Sequence, residues 1–168
     1  DVDAVAKDFA DREKAGKALG VLSPRDTVRI EINGAHILID YGRPSARGRT
    51  IFGNVVPWDS VWRTGANAAT QLTTDKEIQF GQVAVPPGTY SIFSVPGNGK
   101  WLLIINSQHG QWGTNYDQAK DLARIPMEVK PMDEFLERFT FELPSQGTEG
   151  ILCFKWEHTQ ASIPFTVP

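Results

Sequence analysis

From Val28 to Tyr41 apolar side chains recur at every second position, and the run is broken once, at Asn33-Gly34. Val28, Ile30 and Ile32 lie before the break; Ala35, Ile37, Ile39 and Tyr41 lie after it. Strict alternation puts one face of a strand in a core. Asn-Gly supplies the two positive φ angles of a tight hairpin turn. A chain that begins in this way folds around an antiparallel hairpin, and the rest has the same pattern. Strand-length runs follow at Ser60–Arg63, Ala69–Thr73, Glu77–Phe80, Gln82–Val85, Tyr90–Val95, Trp101–Asn106, Phe139–Leu143, Gly150–Glu157 and Ser162–Val167. Pro86-Pro87-Gly88 and Pro96-Gly97-Asn98-Gly99 are turn chemistry on either side of Tyr90–Val95. The expectation is a mainly β, antiparallel β-sandwich or barrel-like domain over residues 21–168.

Residues 1–19 read as a thin amphipathic helix, with Val2, Val5 and Phe9 at helical spacing and Gly20 as a stop, so residues 1–20 are expected as a helical extension. Two short helices are expected around Asp117–Arg124 and Met132–Glu137, too short for a crossover between parallel strands.

The chain has 168 residues, 17 basic and 20 acidic, for a net charge of −3. That balance argues against nucleic acid as the main partner, because phosphate backbones call for a net or strongly local positive field. The positive charge gathers in one place: between Tyr41 and Arg63 stand Arg43, Arg47, Arg49 and Arg63 against Asp59 alone. The longest apolar run, Trp101–Ile105, is strand-sized and far below a membrane span. The start at Asp1, without a Met, points to a removed export signal and a periplasmic or otherwise exported protein. The single cysteine, Cys153, allows no internal disulfide.

The basic segment runs Tyr41-Gly-Arg-Pro-Ser-Ala-Arg-Gly-Arg-Thr-Ile-Phe-Gly53 and on through Val56-Pro-Trp-Asp-Ser-Val-Trp-Arg-Thr-Gly-Ala-Asn67. Arginine pairs bidentately with carboxylate or phosphate and stacks on aromatic rings, while glycine admits close approach of the backbone. Two readings follow. In the first, the arginines close one end of the domain by bonding backbone carbonyls, or by pairing with Asp40, Asp59 or Glu157. In the second, Arg43, Arg47, Arg49, Arg63, Trp58 and Asn67 form a binding site for an anionic ligand or a partner.

The same stretch carries a resemblance. Tyr41-Gly-Arg-Pro, Gly48-Arg49, Ile51-Phe-Gly53 and Val61-Trp-Arg-Thr-Gly-Ala-Asn67, followed by Pro87-Gly-Thr-Tyr-Ser91, Trp101 and Trp156-Glu157, resemble the bacterial domain-of-unknown-function family numbered 2911, over residues 27–167. The resemblance implies a β-rich, exported domain with no assigned activity. Relatives usually carry a glutamate after the Gly-Ala-Asn where this chain has Ala68, so any acid or metal-ligand role of that glutamate does not transfer.

Other constellations are weak. His36, His109 and His158 lack metal-motif spacing, and neither a metal nor a cofactor is expected. Gly42–Gly53 lacks the Gly-Lys-Ser/Thr of a phosphate loop, and no Gly-x-Ser-x-Gly elbow occurs. Alternation puts Leu152, Phe154 and Trp156 on a core face and Cys153, Lys155 and Glu157 on the other, with Cys153 a structural thiol. Asp40, Asp59 and Glu157 are the carboxylates to inspect for acid–base work. Trp62, Trp101 and Trp156 read as core; Trp58 and Trp112 read as exposed contacts for a sugar or a protein.

The function expected is a non-catalytic binding or accessory module of the cell envelope, an extramembrane subunit docked on a membrane-bound complex. The competing expectation is a small anionic-ligand binder or enzyme that uses Arg43, Arg47, Arg49 and Arg63.

Overall fold

Asn33-Gly34 closes a hairpin between β1 (Arg25–Ile32) and β2 (Ala35–Gly42), in register from Arg25↔Gly42 to Ile32↔Ala35. Their φ angles of 48° and 79° are those of the turn that the dipeptide predicts. The computed structural model describes residues 22–168. The helix expected over residues 1–19 lies outside the described residues.

The remaining strands are β3 (Thr70–Thr74), β4 (Ile78–Phe80), β5 (Val83–Val85), β6 (Gly88–Val95), β7 (Trp101–Asn106), β8 (Asp121–Glu142), β9 (Ser145–Gln146) and β10 (Glu149–Thr166). All the pairings between these strands are antiparallel. Among the described residues the order is β1-β2-β3-β6-β7-β8-β10-β4-β5, with β9 on β10. β1 and β5 end this path, so the sheet is not closed into a barrel.

The long strand β8 joins the two halves. Its first residues, Asp121 to Met127, pair with β7, and its later residues, Glu128 to Glu142, pair with β10. This corrects both short helices expected from the sequence. Around Asp117–Arg124 there is one 3-10 turn, Gln118–Lys120, capped by the Asp117 side chain. Met132–Glu137 is strand, with Leu136 opposite Glu157. Its residues favour a helix in isolation, but ladder pairing with β10 overrides propensity. The two strands expected at Gly150–Glu157 and Ser162–Val167 are one, β10, interrupted by register shifts at Glu157, whose φ is 59°. Ser60–Arg63 forms a single bridge, Trp62↔Ser94, and no strand.

The core lies between the halves. Ile37, Ile39 and Tyr41 of β2 are in one buried cluster with Phe139 and Phe141 of β8 and Leu152, Phe154 and Trp156 of β10. The Tyr41 ring meets Phe139 and Phe141 edge-on at 5.8 and 4.9 Å. Such ring pairs add about 0.5–1.5 kcal/mol each beyond the area they bury. The Tyr41 hydroxyl accepts from the Phe141 N–H at 3.1 Å, and burial pushes its phenol pKa up.

The opposite face of the β1–β7 half carries a buried polar row. Register aligns Asp40, Gln71, Ser91 and Asn106 across four neighbouring strands, and all four are buried. Ala69 N–H donates to Gln111 O, and Gly110 N–H donates to Gln71 Oε1, so the chain covering this face is tied to it.

Replacing Tyr41 with Phe keeps the ring and removes the acceptor for a buried N–H. The expected cost is about 1–3 kcal/mol with an unchanged denaturant slope, read by urea unfolding.

Candidate functional site

The basic segment leaves β2 and is pinned at both ends. At its start Arg43 N–H donates to Pro24 O, Ala46 N–H donates to Glu137 O, and Phe139 N–H donates to Pro44 O, all within 2.9 Å. At its end Trp62 and Ser94 exchange backbone bonds at 2.7 and 3.0 Å. Between these anchors Ile51 and Val56 are buried. Two carboxylates cap the loop backbone: Glu137 Oε2 accepts from Arg47 N–H at 2.8 Å, and Glu157 Oε2 accepts from Ile51 N–H at 2.9 Å.

The loop encloses a cleft of about 310 Å³, lined by Arg47, Arg49, Arg63 and Asn67. Leu22, Pro44, Val55, Val56, Trp62 and Trp156 supply its apolar wall. The Asn67 Nδ2 is buried with no hydrogen-bond partner among the described residues. With Asp40 Oδ2, Gln71 Nε2, Gln108 Oε1 and Gln111 Oε1 it is one of five such atoms among the described residues. Arg49 spends Nε on Ala46 O at 2.9 Å and Nη2 on Ser45 O at 2.8 Å, which orients the guanidinium without neutralising it.

The other two candidates fall elsewhere. Arg43 does the structural work of the first reading: its Nε donates to Phe139 O at 3.1 Å, its Nη2 donates to Thr140 Oγ1 at 2.9 Å, and it pairs with Asp26 at 3.4 Å. Trp58 is 40 % exposed and stacks on Phe52, outside the cleft lining. Trp112 is 51 % exposed, as the sequence suggests.

Backbone strain concentrates here. Arg47, Asp59, Thr64 and Asn67, all within the segment, have φ between 50° and 63°, as does Glu157, which caps it. A β-branched residue such as Thr64 rarely adopts this conformation, and strain of this kind persists only where surroundings over-determine it. Thr64 is held by its own hydroxyl on Trp62 O at 3.0 Å, by Ser94 Oγ at 2.8 Å, and by Thr70 Oγ1 donating to its carbonyl at 2.8 Å.

Arg25 holds the return limb. Its side chain is only 3 % exposed and pairs with buried Asp40 at 2.8 Å. Its Nη1 donates to Ala68 O at 2.8 Å and its Nη2 donates to Ala69 O at 2.9 Å. Sequence reasoning missed this residue, because an Arg in an alternating strand is indistinguishable from one facing solvent. Gly42 permits the approach: a Cβ there would meet Ala66 O at 2.4 Å.

Burial raises the Asp40 pKa, and the Arg25 charge and hydrogen bond oppose that rise. The folded chain then binds more protons than the unfolded one between 3.8 and the raised folded value. The contribution of this carboxyl to stability therefore falls as pH rises through that window.

Of the other groups singled out in the sequence, Cys153 is shielded and His36 and His158 are bonded, while His109 is exposed. Cys153 is buried, and its thiol pKa is pushed up to about 11 by that burial. His36 bonds Asp75 at 2.7 Å, and His158 meets Met132 O and the Phe135 ring. Asp59 N–H donates to Pro96 O, on a turn away from the cleft lining.

Asp40→Ala leaves the Arg25 charge buried without its carboxylate. The expected destabilisation is about 3–5 kcal/mol, measured by denaturant unfolding at neutral pH.

No curated protein and no solved structure matches this chain. A family model described as "Protein of unknown function (DUF2911)" matches residues 23–165, which include every cleft-lining residue except Leu22. The chain belongs to the DUF2911 family.

Proposed function

We propose that this protein is a non-catalytic binding module of the cell envelope that holds an anionic group in the arginine cleft. The observation that carries the reading is the pair of exposed guanidinium groups, Arg47 and Arg49, which line one cleft with no carboxylate among the described residues paired to either. The Arg47 side chain has no hydrogen bond or ion pair among the described residues; only its backbone N–H is capped, by Glu137. Two guanidinium groups beside an apolar wall are the parts of a site that recognises an anion and excludes water from one side of it. The strained loop backbone supports the same reading, since it pre-positions these donors before a ligand arrives.

The sandwich-like arrangement of the two sheet halves gives this loop a rigid base. A role as an extramembrane subunit of a membrane-bound complex is the second reading. It is favoured by the exposed apolar side chains Val55, Trp58 and Val61, which follow one another along the same loop. No helix among the described residues is long and apolar enough to cross a membrane, so in that reading attachment comes through a partner.

Arg47→Ala and Arg49→Ala each remove an exposed side chain, the second with two hydrogen bonds to loop carbonyls, so each is expected to change stability by no more than about 1 kcal/mol. Each is expected to weaken binding of citrate or inorganic phosphate by about tenfold or more in isothermal titration. Equal affinities in wild type and both variants would refute the site.

A further inference from the structure

We infer that the group this cleft takes is the dianion of a phosphate monoester carried on a small organic body, an assignment that rests on the anion-binding reading above. The first argument is charge. Arg47 and Arg49 line the cleft, and no carboxylate among the described residues forms an ion pair with either. The bonds made by Arg49 go to neutral carbonyls. A monocarboxylate would neutralise one of these charges, whereas a phosphate monoester carries close to two at neutral pH.

The second argument is donor geometry. The donors come from separate chain positions: the Arg47 fork and the Nη1 of Arg49 left over from its carbonyl bonds. A terminal phosphate offers three acceptor oxygens in a tetrahedral array to such a set; a planar carboxylate offers two. The third argument is the apolar wall of Pro44, Val55 and Trp62, which gives an ester substituent a surface that free phosphate would leave uncovered. A cleft of 310 Å³ is at the small end of ligand sites and suits a phosphate with a single ring.

The titratable groups around the site support a clean pH test. Glu137 of β8 and Glu157 of β10 each turn an oxygen to a loop N–H, Asp59 faces the Pro96 turn, and no histidine is among the lining residues.

Isothermal titration of the whole chain with phenyl phosphate, inorganic phosphate and benzoate tests the assignment. At about pH 7.5 phenyl phosphate is expected to bind at least about tenfold tighter than either of the others. Between about pH 7.5 and pH 5 its affinity is expected to fall about tenfold as the dianion takes up one proton, near 6, and becomes the monoanion, while that of benzoate stays level. Arg47→Ala is expected to remove most of the preference for phenyl phosphate. Benzoate binding as tightly as phenyl phosphate at both pH values would overturn the dianion assignment and leave the anion site standing. Absence of binding by all three, with Arg47→Ala indistinguishable from wild type, would overturn both. Flotation with phosphatidic acid vesicles but no heat with phenyl phosphate would overturn the small-molecule assignment in favour of a lipid headgroup.

Discussion

The Arg25–Asp40 pair is the constraint on which the cleft depends. It stands where β1 and β2 meet the return limb of the basic loop, and it ties three chain segments through one guanidinium. Burying two charges is expensive, and the raised Asp40 pKa registers that expense. The return is positional. Ala68 and Ala69 carbonyls are held against the edge of β2–β3, so Asn67 is fixed immediately before them with its positive φ. The position of this part of the cleft lining is thus set by a residue that does not itself line the cleft.

The loop resolves into two kinds of arginine. Arg43 and Arg25 satisfy buried carbonyls and carboxylates, and so serve as structural pins. Arg47 and Arg49 present charge to a cleft, the latter oriented by its own loop carbonyls. Closure of the domain end thus rests on Arg43 and Arg25, and the binding proposal concerns Arg47 and Arg49 of the same motif. Glycine, positive φ and arginine density serve both: the backbone is folded tightly enough to close the end of the domain, and the tight fold brings the donors together.

Much of the fold was legible because period-two alternation and turn chemistry are local. The hairpin at Asn33-Gly34, the Tyr90–Val95 meander and the core face of Leu152, Phe154 and Trp156 follow directly from them. What failed was non-local. Met132–Glu137 has helical propensity, and only its pairing with β10 makes it strand. The bulge at Glu157 hides the continuity of β10. At the site, the segment was visible as a charge anomaly, but alternation assigns Arg25 to a polar face without saying that loop 64–69 buries that face. Neither could spacing separate Arg43 from Arg47, four residues apart and differently bonded.

The central claim is that the cleft is built before any ligand arrives, by the Arg25 clamp and the strained loop. Amide hydrogen exchange on the ligand-free protein tests this most directly. If the account holds, Ala69 N–H, bonded to Gln111 O, and Trp62 N–H, bonded to Ser94 O, exchange as slowly as the core amides of β2 and β3. Exchange of these amides at the rate of an open surface loop, with β2 and β3 still protected, would contradict it.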